Sequence, residues 1–345
     1  MLRFSAIFAL VVAGCASGAG SNITTGRDAR AAARPVPLDS VVALGPMVGH
    51  TTDTGAWIWL QPTGSEELDA EAIGPDGRVV EADLDVRAGA PAILRLDGLE
   101  PDTRYSVRLE ADYRPVRMDP EIAFRTFPRP GEPTRLRIAL VSCARVLWDS
   151  IQPIWTAIEA DRPDVVVWLG DNNYFEDADS THPADWTDPA RMAFKYAELR
   201  DLPTLQPVLR QAVNYAIWDD HDYGDGDPDR TFPLKREVSR VFERFWANPA
   251  YGPGPEIDGI YSRVVMGDVE LFLTDDRFYR DPEDGPRVPG KTLMGAEQLA
   301  WLKEGLAASR ARLKIVAVGV QVLADYHQYD GYLNYPHERA ELMRW

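Results

Sequence analysis

The run of five apolar residues from Val165 to Leu169 does most to constrain the fold of this chain. An unbroken Val-rich run between turn residues is typical of a strand buried on both faces. Gly170 lets the chain turn at the carboxyl end of that strand, the edge where open α/β sheets build their sites. We therefore expect Asp171 at the rim of a sheet. A polar loop capped by an aspartate is the plain alternative.

The sequence around this run alternates between strand and helix patterns from residue 135 onward. Further strands are predicted at 136–142, 215–218, 261–266, 269–274 and 313–319. The strands 261–266 and 269–274 flank a Gly-Asp pair, which favours a hairpin. Helices are predicted at 150–162, 190–200, 205–211, 234–248 and 296–309. This alternation indicates a layered α/β domain, which we place at 134–345.

Residues 36–129 have a different texture, with short alternating strand patterns separated by Gly, Pro and Asp turn signals. The segment 96–105 has the pattern Leu-x-Gly-Leu-x-Pro-x-Thr-x-Tyr, which resembles immunoglobulin and fibronectin type III sandwich domains. In such domains the Tyr packs at a corner between the sheets. We therefore predict an all-β Ig/fibronectin III-like accessory domain at 36–129, with no chemistry of its own.

The first residues carry a targeting signal. Arg3 precedes an apolar stretch, 4–13, that is too short to span a bilayer. It leads into Val-Ala-Gly-Cys at 12–15, which resembles a bacterial lipobox with Cys15 as the lipidated residue. We predict a lipoprotein signal peptide at 1–15 and a flexible tether at 16–35. The protein would then be exported as a periplasmic or cell-surface lipoprotein, anchored in the outer membrane. A generic signal peptide cleaved at Ala-x-Ala-like residues is the alternative.

The net charge and the number of cysteines limit the binding partners and the disulfide bonds that this chain can have. The net charge of −17 argues against nucleic acid or an anionic membrane surface as a partner, because either needs a basic face. Membrane contact is expected only through a lipid on Cys15. Cys143 is then the lone thiol and has no partner for an internal disulfide. A buried, inert thiol is the default interpretation, and metal chemistry is the alternative.

Polar and ionisable residues follow four of the predicted strands. The most specific is the run of four ionisable residues directly after Trp218, because adjacent charges repel unless cations or hydrogen bonds compensate them. A solvated acidic loop is the alternative. The four ends are Ser142-Cys143, Gly170-Asp171 with Tyr174, Asp219-Asp220-His221-Asp222, and Asp275-Asp276-Arg277.

In this order the motifs resemble the alkaline phosphatase D (PhoD-like) metallophosphatases. The resemblance implies a four-layer α/β/β/α metallophosphoesterase domain behind the sandwich. It also implies hydrolysis of phosphate monoesters or diesters, of small molecules or polymers, at a cluster of ferric iron and calcium. The motifs are Gly45-Pro46-Met47-Val48-Gly49, Ser142-Cys143, Gly170-Asp171-x-x-Tyr174, Trp218-Asp219-Asp220-His221-Asp222-Tyr223-Gly224, Asp275-x-Arg277 and Gly295-x-x-Gln298-x-x-Trp301-Leu302.

The resemblance also implies metal ligands. Asp171 would bridge two metals, since a carboxylate offers two oxygens to hard cations. Tyr174 would supply a phenolate and Cys143 a thiolate, both donors suited to ferric iron. Asp219 and Asp225 complete the expected metal ligands.

Three residues are expected to act on the substrate. Arg277 would form a fork on the phosphate, and His221 would be a general acid or hydrogen-bond donor. Orienting a carboxylate ligand is the alternative role for His221. Asp220 is the third candidate, although the sequence alone does not separate its role from that of Asp219.

Two departures from the family pattern stand out. Gly226 occupies the position of an Asn that ligates calcium in the family, and Asp225 or Asp227 would have to substitute. The chain also stops at Trp345, before the Gly-Asp-x-His segment that supplies further ligands, so we expect a C-terminally incomplete domain with an exposed apolar edge and weak activity. His327 and His337 precede that segment and are expected to be surface or core residues.

The leading hypothesis is an exported, metal-dependent phosphoesterase of the alkaline phosphatase or phosphodiesterase type that uses a metal-activated water. A phospholipase D-like esterase on the same scaffold is one alternative. A catalytically inactive, truncated relative that acts as a cell-surface binding module is the other.

Overall fold

The computed structural model describes residues 34–65, 67–146, 151–172, 174, 188–224, 227–252, 254, 258–283, 288–324 and 331–344. The predicted signal peptide, the lipobox with Cys15 and all but the last two residues of the tether lie outside these described residues. Across the ranges that are described, no helix is both long and apolar enough to cross a membrane.

The first nine strands form two sheets. The larger has the strand order β1-β8-β7-β4-β5, with β9 also paired to β7, and the smaller has the order β2-β3-β6. Tyr105 is buried between them, and its hydroxyl accepts a hydrogen bond from the backbone N–H of Glu100 at 2.9 Å. Assignment to the immunoglobulin/fibronectin III class stays a prediction. The strands are β1 (Val36–Pro37), β2 (Val42–Thr51), β3 (Gly55–Pro62), β4 (Glu67–Ile73), β5 (Val79–Asp85), β6 (Ala92–Asp97), β7 (Arg104–Ala111), β8 (Arg114–Arg117) and β9 (Ile122–Arg125).

The remaining six strands form two more sheets. A parallel sheet has the order β10-β11-β12, and a mixed sheet has the order β13-β14-β15, in which the predicted hairpin β13–β14 is present. The central strand β11 is the Val-rich run, and Val165 to Trp168 are fully buried as expected. The strands are β10 (Ile138–Val141), β11 (Val165–Leu169), β12 (Val213–Ile217), β13 (Ser262–Met266), β14 (Val269–Leu273) and β15 (Leu313–Ala317).

Helices lie between these strands where the periodicity predicts them, with ends that differ by up to four residues. The α-helices are α1 (Ile154–Asp161), α2 (Pro189–Arg200), α3 (Gln206–Gln211), α4 (Asp220–Tyr223), α5 (Lys235–Phe245), α6 (Ala296–Ala308) and α7 (Pro336–Arg344). The short turn α4 is not predicted by apolar spacing, because it consists of the polar residues after β12.

The sandwich docks directly on the strand that leads to the candidate site. Asn214 Nδ2 of β12 donates to the carbonyl of Val48 at 3.3 Å, and the backbone N–H of Thr51 donates to the hydroxyl of Tyr215 at 3.2 Å. Gly49 approaches so closely that an added Cβ would lie 2.3 Å from the Cβ of Ala247. Buried apolar residues of the sandwich and of the α/β sheets belong to one continuous hydrophobic cluster.

The parallel sheet and the mixed sheet each have an edge strand with an exposed apolar side chain. Leu140 on β10 is 59% exposed, and Leu313 on β15 is 51% exposed. These two side chains give the described sheet edges an apolar surface.

Candidate functional site

The site lies where the three parallel strands end. Cys143 follows β10, Asp171 follows β11 and Asp219 follows β12. Cys143 and Asp171 both adopt the left-handed conformation, with φ of 58° and 51°. Their two loops are joined by backbone hydrogen bonds from Cys143 N to the Gly170 carbonyl (3.3 Å) and from Ala144 N to the Asp171 carbonyl (2.9 Å). The alternation of strands and helices thus brings these side chains together, as predicted.

Asp171 is the centre of the site. Its Oδ2 accepts hydrogen bonds from the Tyr174 hydroxyl at 3.2 Å and from the Cys143 thiol at 3.6 Å. Its Oδ1 is buried and has no hydrogen-bond partner among the described residues. Burial, followed by the charge of Asp220, raises the pKa of the Asp171 carboxyl. A buried carboxylate oxygen without a donor is the oxygen that a bound cation would satisfy.

Asp220 and His221 complete a cluster with Asp171. The three residues can place ligand atoms within 4.8 Å of one another. The Nε2 of His221 is 3.8 Å from Asp220 Oδ2, and the His221 ring lies 4.2 Å from the ring of Tyr174, centroid to centroid. Two carboxylates and an imidazole suit several transition metals, so the residues present fit a metal site.

The thiol of Cys143 lies at the surface, so the default interpretation of a buried, inert cysteine is wrong. Partial desolvation of the thiol raises its pKa, and the nearby Asp171 charge raises it further. Burial likewise raises the pKa of the Tyr174 hydroxyl well above its usual value, followed by the effect of Asp171. Ligation through sulfur or phenolate oxygen would therefore be coupled to loss of a proton when a cation binds.

Asp222 joins two of the loops that form the site. It is fully buried, and its Oδ2 accepts from the backbone N–H groups of Asn172 (3.1 Å) and Asp219 (3.2 Å) and from Asn172 Nδ2 (3.3 Å). Its Oδ1 accepts from the Tyr196 hydroxyl at 3.1 Å. One carboxylate therefore fixes the loop after β11 to the turn after β12.

Asp219 and Asp220 make different main contacts, although the sequence alone did not distinguish the roles of these two residues. Asp219 Oδ1 accepts from Arg277 Nε at 2.8 Å and also contacts Arg277 Nη2. Asp220 instead belongs to the cluster with Asp171 and His221. Metal ligation by Asp219 stays a prediction.

Arg277 is expected to form a fork on a substrate phosphate, and that role stays a prediction. Its side chain has 0% exposure and its guanidinium is directed to Asp219, with Asp220 Oδ1 3.7 Å away. In this structure Arg277 therefore positions the acidic residues after β12.

The neighbouring Asp275 has a structural role. Its Oδ1 accepts from Trp218 Nε1 at 2.8 Å and from the backbone N–H groups of Arg277 and Phe278. Its backbone N–H and carbonyl are both bonded by Gln298, at 2.8 and 2.7 Å. The motif residues Asp275 and Gln298 therefore hold together the end of β14 and helix α6.

Some of the remaining candidates lie outside the described residues. Asp225 and Gly226 are outside the described residues, as is His327. Asp227 is described and has a positive φ of 55°. His337 is exposed on α7, which confirms the expectation of a surface residue.

Sequence reasoning gave no role to three residues that contact the site. The guanidinium carbon of Arg145 lies 4.8 Å from the ring centroid of Tyr174. Tyr196 donates to Asp222, and Gly319 approaches Asp276, Trp218 and Asp219 so closely that a Cβ would contact all three. The local signal at Gly319 was its position as the last residue of the predicted strand 313–319.

A family model described as PhoD-like phosphatase matches residues 138–344, which is more than half of the chain. The chain belongs to the PhoD-like phosphatase family. The resemblance drawn from the six motifs is thereby confirmed.

Individual relatives agree with the family. The PhoD-like chain is 25% identical over 255 residues to alkaline phosphatase D of Bacillus subtilis (strain 168), a match that covers 64% of the chain but 43% of that relative. The chain thus spans less than half the length of this curated relative.

Two solved structures share the fold. The structure of PhoD has a TM-score of 0.75 at 19% identity and covers 88% of this chain and 69% of its own. Purple acid phosphatase PPD1 from yellow lupin has a TM-score of 0.56 at 12% identity and covers 80% and 51%. The α/β domain of the PhoD-like chain therefore has a metallophosphoesterase fold.

Proposed function

We propose that this chain is a metal-dependent phosphoesterase that hydrolyses phosphate monoesters, diesters or both. The observation that carries the proposal is the buried Asp171 Oδ1, which has no donor among the described residues and lies beside Asp220 and His221. Two carboxylates close together repel each other unless a cation compensates them, and groups with perturbed pKa values, as at Asp171, concentrate at functional sites. Family membership supports the same chemistry.

Asp171 and Asp220, with Tyr174 and Cys143, are the residues that would hold the metals, and His221 lies beside them. Bound metals would supply Lewis acidity to the phosphoryl group and lower the pKa of a bound water. The ferric iron and calcium named above, and ligation by Asp219 and Asp225, come from the family resemblance. The left-handed backbone at Asp171 presents its carboxylate at the rim, and the Tyr174 hydroxyl and Cys143 thiol orient Oδ2.

His221 is the proton carrier in this proposal. Its imidazole is partly exposed, so it can meet a substrate oxygen, and its Nε2 is 3.8 Å from Asp220 Oδ2. Its ring packs against Tyr174, which restricts the rotamers that the imidazole can adopt. His221 would therefore donate a proton to the leaving oxygen, while Arg277 and Asp222 hold the turn that carries it.

The finer parts of the proposal rest on the sequence. Export as a lipoprotein anchored through Cys15 and a sandwich of the Ig/fibronectin III class are proposed on the patterns described above. The alternative of an inactive binding module is disfavoured by the intact cluster of Asp171, Asp220 and His221.

The test is the substitution Asp171→Asn, with Asp85→Asn on the exposed face of β5 as the matched control. We expect Asp171→Asn to lose bound metal, measured by elemental analysis, and to lose hydrolysis of nitrophenyl phosphate and bis-nitrophenyl phosphate. Asp85→Asn should retain both. Equal metal content and turnover in Asp171→Asn and the unsubstituted protein would refute the proposal.

A further inference from the structure

Arg145 lies against the candidate site from the loop after β10. Its guanidinium carbon is 4.8 Å from the ring centroid of Tyr174, within the range of a cation–π contact. The same tyrosine donates its hydroxyl to Asp171 and packs its ring 4.2 Å from that of His221. Tyr174 therefore contacts Arg145 on one side and two members of the cluster, Asp171 and His221, on the other.

The charge of the site calls for an accessible cation. Asp171, Asp219, Asp220 and Asp222 place four carboxyl groups at the strand ends, and a phosphoester adds further negative charge. Bound metals would offset part of this charge, but a phosphate is also commonly held by the planar fork of a guanidinium, which offers two parallel N–H donors.

Exposure separates the two arginines that lie close to the cluster. Arg277 is completely buried and ion-paired with Asp219, so its guanidinium is committed to the protein. Arg145 is only partly buried, so part of its surface is exposed to solvent. Contact with the Tyr174 ring limits the conformations of the Arg145 side chain and so lowers the entropy lost when a ligand binds.

We propose that Arg145 binds the non-bridging phosphoryl oxygens of the substrate, the role that the sequence had suggested for Arg277. This inference rests on the proposed phosphoesterase function. Arg145 donates hydrogen bonds to the anion and undergoes no change of protonation, since the guanidinium stays charged throughout the accessible pH range. The substrate class that it recognises is a phosphate ester with at least one free anionic oxygen.

The test compares Arg145→Gln and Arg145→Lys with Arg87→Gln, a matched control on the exposed surface of the sandwich. The probe is inorganic phosphate, measured by equilibrium dialysis with metal-loaded protein, alongside the KM for nitrophenyl phosphate. A hydrogen bond to a charged group contributes about 1.5–3 kcal/mol, so we expect Arg145→Gln to weaken phosphate binding roughly 10- to 100-fold. Arg145→Lys should lie between, and metal content and thermal unfolding should not change.

The outcomes separate this inference from the proposed function. Unchanged phosphate affinity and KM in Arg145→Gln, with turnover intact, would overturn the role of Arg145 and leave the phosphoesterase proposal standing. Loss of phosphate binding in Arg145→Gln, in a protein that hydrolyses neither nitrophenyl ester, would support Arg145 as the phosphate contact and refute the proposed catalysis. A loss of metal from Arg145→Gln would also overturn the inference, because it would indicate a structural role.

Discussion

Arg277 and Asp219 form a buried ion pair that joins the end of β14 to the end of β12. The Nε of Arg277 is 2.8 Å from Asp219 Oδ1, and the arginine has no exposed surface. Because Arg277 also lies 3.7 Å from Asp220 Oδ1, this pair links the stability of the fold to the position of the cluster.

The first prediction concerns this ion pair. Arg277→Gln leaves Asp219 without its partner, and the cost of an unpaired buried charge is about 3–5 kcal/mol in the free energy of unfolding. We expect urea denaturation in the presence of a chelator to show this loss. Asp219→Asn should cost less in the Arg277→Gln background than alone. Strictly additive effects of the two substitutions would contradict the coupling.

The second prediction concerns Asp222. Asp222→Ala removes the acceptor of three N–H groups and of the Tyr196 hydroxyl, and each donor left unsatisfied costs about 1–3 kcal/mol. We expect it to be strongly destabilised and inactive. Asp222→Asn should retain most stability and turnover, because its amide oxygen can accept from the N–H groups while its NH₂ donates to the rotated Tyr196 hydroxyl. An Asn variant as damaged as the Ala variant would show instead that the negative charge is required.

The third prediction concerns Gly319. An added Cβ would lie 2.7 Å from Asp276 Oδ2, 3.0 Å from the Trp218 carbonyl and 3.1 Å from Asp219 Cγ. Gly319→Ala must therefore displace either the loop after β15 or the acidic turn, and we expect lower thermal stability and lower turnover. Gly254→Ala is the matched control, since its Cβ would meet nothing within 4 Å among the residues that the structure describes. Equal stability and turnover of the two variants would contradict the close approach.

The fourth prediction concerns pH and the interface between the domains. Burial lowers the pKa of His50 from 6.5 to about 4, and its Nδ1 is 3.3 Å from the Tyr215 hydroxyl. The unfolded chain therefore takes up this proton at higher pH than the folded chain. The stability associated with neutral His50 is fully present above pH 6.5 and is lost as the pH falls towards 4.

The measurement is the free energy of unfolding at pH 7.5 and pH 4.5, for the unsubstituted protein and for His50→Gln. A shift of this size corresponds to about 3 kcal/mol. Because carboxyl groups elsewhere also titrate in this range, the relevant quantity is the difference between the two proteins. We expect a smaller loss of stability in His50→Gln, and an identical loss would contradict the prediction.

The sequence predicted the elements that present the site, because buried strands have a local signature. The run at Val165–Leu169 is the central parallel strand, and the polar residues after it meet Cys143 at the rim. The separate partners of Asp219 and Asp220 could not be predicted, since two adjacent residues on a short polar turn carry no periodicity that fixes their directions.

The site residues that the sequence did not predict depend on long-range contacts. Arg145, Tyr196 and Gly319 act through residues distant in the chain, and nothing in their neighbours announces those contacts. Asn214 and Tyr215 similarly have the pattern of an ordinary strand, although both bond the sandwich. Such roles depend on how the sheets pack, which a local pattern does not encode.

The left-handed backbone at Cys143 and Asp171 has a consequence for protein engineering. A non-glycine residue in this conformation costs about 1 kcal/mol, and glycine would remove that cost. A library screened only for heat resistance should therefore enrich glycine at Cys143, or asparagine or glycine at Asp171, and discard the side chains that we propose to ligate metal. At these two positions, directed evolution for robustness and directed evolution for turnover would pull the sequence in opposite directions.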